Sequence, residues 1–342
     1  GLVIGSLVMF LLWAIYWRRT WMVFAALGAG IFLAAGLVLL SWPNGPFRAL
    51  ANRPEVQRFT SILNQKGDTG GRSSIWSMAV QASRFPPVVV SADGKKDPLS
   101  GLRSLVGYGP DTIGFVSRAF TFREYNIESQ GHPSCDRIHN DFWDTLITTG
   151  FLGLAAYLAL TFLVVYHACQ WLGLIPDHRH HALFWALFLG GGLLGSLGFV
   201  AWKNSGYLGV GLRFGTVAGL MAYLVWISGR KPSDSPKPRL PLNRALTIMA
   251  LLAGIIAHLI ETNFSFGVET TLFYFCVYLG LLVVIGNRQP ILESRPPAVE
   301  TAAKKPAPMR GAGKTPTAGF FCPDWSSTGT EIVGGLVLGL VW

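Results

Sequence analysis

RIHNDFWDTLITTGFLG (residues 137–153) places arginine, histidine, asparagine and aspartate directly before an apolar run that continues to residue 174. A helix needs roughly 20 apolar residues to cross the hydrocarbon core of a bilayer. Residues 145–174 exceed that length without a Lys, Arg, Asp or Glu, so the stretch reads as a membrane span with a polar mouth. Six more apolar runs flank it, at 1–17, 21–42, 182–202, 206–228, 245–261 and 269–286.

Bulk composition agrees. The 342 residues are 51% hydrophobic and only 13% charged, with a mean hydropathy of +0.41. A soluble domain carries about 25% charge, so the composition excludes one. The expected organisation is two transmembrane helices in 1–42, a large external loop in 43–143, a five-helix transmembrane bundle in 144–286, and a disordered Pro-rich linker in 287–330. Residues 331–342 read as the start of a further span. Both ends fall inside apolar sequence, so the chain reads as part of a longer protein.

The net charge of +10 follows the positive-inside rule rather than a nucleic-acid surface. Arg18 and Arg19 lie between the first two spans, and Arg230, Lys231, Lys237, Arg239 and Arg244 between the fifth and sixth. With those loops cytoplasmic, alternation places 43–143, 203–205 and 262–268 outside. Four cysteines without CxxC spacing support neither a disulfide framework nor a zinc site.

Several polar residues in this greasy chain are candidates for chemistry. His139 can take a proton near neutral pH; alternatively it is a surface residue beside a helix capped by Asn140 or Asp141. Arg72, in GGRSSIW (70–76), opens a helix expected over 72–84, where it could grip a phosphate or simply meet lipid headgroups. A further helix is expected over 54–65. Arg123 and Arg137 raise the same pair of readings. Arg213 lies inside a span, where a charge is expensive and commonly functional, but it is near enough to the outer end to snorkel. Glu261 shares a helix face with His258, as a substrate contact or an interfacial pair. DHRHH (177–181) reads as solvated charge rather than a metal tract.

Together these pieces resemble the O-antigen ligase and polymerase superfamily of bacterial envelope glycosyltransferases. Its external loop begins with an arginine-tryptophan helix, matched by Arg72 and Trp76. It passes a Gly-x-Gly turn after a proline, matched in DPLSGLRSLVGYGPDTIGF (97–115) by Gly107 and Gly109. It closes with His-Asn, nine residues and Gly-x-x-Gly, matched by His139-Asn140 and Gly150-Phe151-Leu152-Gly153. The resemblance covers residues 66–175 well and the later spans by hydropathy.

It implies an all-α polytopic membrane protein, a GT-C-like helical bundle with an external helical cap, in the bacterial inner membrane. The implied activity is metal-independent, cofactor-free inverting transfer of a glycan from a polyprenyl-diphosphate carrier to a glycan, lipid or protein acceptor. His139 and Arg72 would then be catalytic. Arg72, with Arg137, Arg123, Arg213, Asn140 and Glu261, would hold substrate. The alternatives are a transporter or flippase of lipid-linked glycan, its path lined by Arg213 and the glycines of 190–198, and a non-catalytic subunit of a membrane assembly. The Gly150/Gly153 pair is expected to let a neighbouring helix approach closely.

Overall fold

The computed structural model describes residues 1–41, 47, 53, 72–90, 93–118, 135–230, 240–265, 267 and 269–287. Arg123, the helix expected over 54–65, and the tail from 288 onward lie outside them. The described residues are mostly helical, and their only β pairing is an isolated bridge between Val90 and Lys96. The helices are α1 (Leu2–Tyr16), α2 (Thr20–Ser41), α3 (Arg72–Arg84), α4 (Arg103–Val106), α5 (Ile113–Arg118), α6 (Asp141–Trp171), α7 (His178–Trp202), α8 (Leu208–Ser228), α9 (Leu242–Glu261) and α10 (Glu269–Asn287).

Five of them, α6 to α10, are long and apolar enough to cross a membrane. Their outward faces carry large apolar side chains that water would not tolerate, among them Leu193, Leu194 and Leu197 of α7 and Phe273 and Val284 of α10. This is a multi-pass membrane protein. The first expected span, α1, is shorter, at 15 residues, and packs along α9, where Gly5 admits Ala253 and Ala257.

The span expected over 145–174 is not one continuous rod. Gly150 sits within α6 at φ 71°, ψ −174°, a backbone conformation that glycine adopts without steric penalty. How far the chain turns there follows from one bond. Tyr157 Oη donates to Asp141 Oδ2 at 2.7 Å, yet sixteen residues of straight helix would separate their Cα atoms by about 24 Å. The segment 141–149 therefore folds back beside the first turns of 151–171. That second segment, about 31 Å long, is the length of the span.

The fold-back is locked by a second glycine. Gly107, at φ 72°, lies against the break, and a Cβ there would fall 2.5 Å from the Gly150 nitrogen. Tyr108 N donates to Ile147 O (2.9 Å) and Gly109 N to Thr148 O (2.8 Å), so the Gly-x-Gly turn supplies partners to carbonyls that the break frees. What approaches Gly150 is thus the α4 turn rather than a long helix. Gly153 instead makes room for the Thr149 side chain of its own helix. Arg103 ties the turn down through Asp97 (2.6 and 3.1 Å) and Gly107 O (2.9 Å).

α7 and α8 meet along glycine. Gly191 and Gly195 face Gly211, Gly215 and Gly219, so closely that a Cβ on Gly195 would sit 2.7 Å from Gly215 Cα. Small residues at four-residue spacing let helix backbones touch in a membrane, where packing replaces the hydrophobic drive. The glycines of 190–198 that line this seam are closed against α8, which removes part of the lining that a transport path would need. Gly215→Leu should force the seam apart and cost about 1–3 kcal/mol or more, seen as a lower unfolding temperature of the detergent-solubilised protein.

Candidate active site

The polar mouth of α6 is held by hydrogen bonds to peptide groups on both sides of His139. Asn140, fully buried, is the N-cap: its Oδ1 accepts from Phe142 N (3.1 Å) and Trp143 N (3.3 Å), and its Nδ2 donates to Asn263 O (3.0 Å). Capping oxygens satisfy amides that a helix start leaves unpaired. Asp141 N donates to Thr262 O (3.0 Å), fixing the mouth to the end of α9. On the other side, Ile138 N donates to Asp144 Oδ1 (3.2 Å), and Ile138 O accepts from Trp76 Nε1 (3.0 Å).

His139 stands between these anchors at φ 54°. Left-handed backbone is uncommon outside glycine, although histidine is among the residues that enter it more readily. Strained positions persist where the surroundings over-determine them, and they concentrate at functional sites. The ring is half-buried. Its proton affinity is lowered, first by burial and then by the positive charge of Arg72, with Asp136 opposing.

Arg72 reaches that position through Trp76. The indole is fully buried, packs edge-on against Tyr207 at 5.0 Å, and bonds the carbonyl next to His139. Arg72 lies four residues earlier on α3, one turn up the same face. The arginine-tryptophan spacing thus brings the Arg72 charge within electrostatic range of the histidine, with the tryptophan as the anchor.

The other expected site residues divide. Arg137 pairs with Asp111 (2.9 Å) and Asp144 (3.5 Å), beside the mouth and two residues from His139. Asn140 is enclosed and occupied as the cap, which removes it from direct substrate contact. Glu261 is exposed and lies against Gly1 at the α1–α9 contact, next in sequence to Thr262, whose carbonyl accepts from Asp141 N.

Arg213 turns inward rather than snorkelling. It is 5% exposed and is held by an ion pair with Asp141. It also donates to Leu259 O (2.9 Å), Thr262 Oγ1 (2.8 Å) and Tyr157 Oη (3.2 Å). These bonds occupy the terminal nitrogens that a phosphate would need.

Asp141, Tyr157 and Thr262 are the participants that sequence reasoning missed. Asp141 follows the His-Asn pair immediately, which was the available signal. Asn263 joins them; its Oδ1 is buried with no hydrogen-bond partner among the described residues. Likewise among the described residues, no three His, Cys, Asp or Glu side chains converge as a metal site requires. At DHRHH, His180 bonds Asp177 at 2.6 Å and His181 bonds Tyr166 at 2.5 Å. Comparison with protein-family models, with curated proteins and with solved structures found no match for this chain.

Proposed function

We propose that this chain is a membrane glycosyltransferase of the O-antigen ligase type, moving a glycan from a polyprenyl-diphosphate carrier to an acceptor hydroxyl at the outer face of the membrane. The observation that carries the reading is the Trp76–Ile138 bond, which anchors α3, the helix that Arg72 opens, to the carbonyl next to His139 at the mouth of α6. A base at the mouth of a membrane-spanning helix, within the field of a cation, suits a reaction whose leaving group is an anion on a lipid.

In that reaction the acceptor oxygen attacks the anomeric carbon as the bond from that carbon to the diphosphate oxygen breaks, with inversion. His139 takes the hydroxyl proton. Arg72 receives the negative charge that develops on the departing diphosphate, where a charged donor is worth most. Burial and the neighbouring Arg72 charge both lower the proton affinity of His139, which favours the neutral imidazole that a base must be. Arg137, beside the same mouth, is the second cation in reach of the lipid head.

The test is transfer from a lipid-linked glycan in proteoliposomes, with folding of each variant verified. His139→Ala should lower turnover about 10²–10⁴-fold, and Arg72→Ala about 10²–10³-fold. Because burial and Arg72 both depress the His139 pKa, the base form persists to more acidic pH, so the wild-type acid limb should fall below about 6.5, the free-histidine value. Removing the Arg72 charge takes away one depressing cause, and the residual transfer should show that limb at higher pH. Full transfer in both variants returns the site to the capping and lipid-contact readings.

A further inference from the structure

Resting on that reading of the site, we infer that Asp141 and Arg213 are a positioning pair: they act on the reaction by holding His139 in place, and they do not bind the donor. The argument begins with cost. A charge at membrane depth costs about 2.5–3.5 kcal/mol on insertion scales. A buried ion pair exchanged for apolar groups of similar shape is often neutral or stabilising. A bundle that needed only to pack would do as well with two apolar side chains here.

What the pair provides is location. Arg213 joins α8, the end of α9 at Leu259 and Thr262, the spanning segment of α6 at Tyr157, and the start of α6 at Asp141. Tyr157 donates its hydroxyl proton to the same carboxylate oxygen that Arg213 grips. Asp141 is thereby fixed by side chain and backbone together, its amide bonded to Thr262 O. Only Asn140 separates it from His139, and Asn140 is itself bonded to Asn263 O. The upstream peptide is pinned by Trp76 and Asp144. The left-handed histidine therefore has no slack on either side.

Asp141→Asn and Arg213→Lys in the full chain test this, with folding checked by thermal unfolding. A misplacement of about 1 Å costs about 10² in rate. The expected result is a turnover loss of that order with the KM for the lipid-linked donor unchanged, and no further loss when either change is added to His139→Gln. Residues acting through one group are non-additive in this way. A raised donor KM with turnover intact, or losses that multiply in the His139→Gln background, overturns the proposal.

If the wild type transfers nothing, the reading of the site fails, but positioning remains measurable. Carbethoxylation by diethyl pyrocarbonate, resolved by mass spectrometry, should change several-fold at His139 in Asp141→Asn and stay constant at His180. An unchanged rate at His139 overturns the proposal.

Discussion

Gly150→Val should be strongly destabilising. Two penalties coincide there. At φ 71°, ψ −174° the backbone lies in a region essentially reserved for glycine, where any side chain costs roughly 1–3 kcal/mol, and a β-branched residue is a true outlier at positive φ. The added atoms also have nowhere to go, because the space is filled by the Leu105 carbonyl and by Gly107 N, 2.5 Å from an ideal Cβ. Neither neighbour is the end of a flexible side chain. Relief requires the α4 turn to leave α6, which breaks the bonds from Tyr108 and Gly109 to the 147 and 148 carbonyls.

The expected loss is on the order of 4 kcal/mol, the size reserved for a broken structural feature. It would be read as a large drop in unfolding temperature in detergent. Transfer should vanish with it, since the fold-back is what brings Tyr157 to Asp141. Gly153→Ala is the control three residues on: it displaces only the Thr149 side chain, and a methyl of overpacking costs about 1–3 kcal/mol. If Gly150→Val is no worse than Gly153→Ala, the break in α6 is not what holds the site together.

The contrast between these glycines shows what the sequence discloses and what it conceals. Membrane spans are legible because lipid imposes one requirement on every residue of the hydrocarbon-facing surface and leaves backbone no partner but itself. Hence α6 to α10 fall close to the apolar runs at 145–174, 182–202, 206–228, 245–261 and 269–286. Hydropathy is blind to direction, however. Phe142, Trp143, Leu146 and Ile147 are as apolar as a span, yet they are buried inside protein. The break was written only in the nine-residue interval between His139-Asn140 and Gly150, which is the length of a capped helix and a hinge.

Arg213 illustrates the same limit. Its place in an apolar run marks it as unusual, but its choice between snorkelling and turning inward depends on a carboxylate delivered by that fold-back. Asp141, read alone, is explained well enough as an acidic residue in a first helical turn. The glycines of α7 carried a readable signal in their partners. Gly211, Gly215 and Gly219 recur at the same four-residue spacing as Gly191 and Gly195, the pattern of a helix seam.

Trp76 joins these strands, and its substitution separates packing from connection. Trp76→Ala empties a fully buried site and should cost about 3–5 kcal/mol. Trp76→Phe keeps most of the ring but removes the Nε1–H that Ile138 O accepts at 3.0 Å. That leaves a carbonyl unpaired inside the protein, at about 1–3 kcal/mol. The second variant is the informative one. With the tether gone, α3 and its Arg72 are no longer held at a fixed distance from His139, and the field of that cation on the imidazole weakens. The His139 pKa should climb, carrying the acid limb of turnover upward even while the protein remains folded. The pH profile of Trp76→Phe beside that of Arg72→Ala measures this directly. Limbs displaced in the same direction mean that the tryptophan works by delivering the arginine. A Phe variant that keeps the wild-type limb, while losing stability, would reduce Trp76 to a packing residue and leave the position of Arg72 to some other contact.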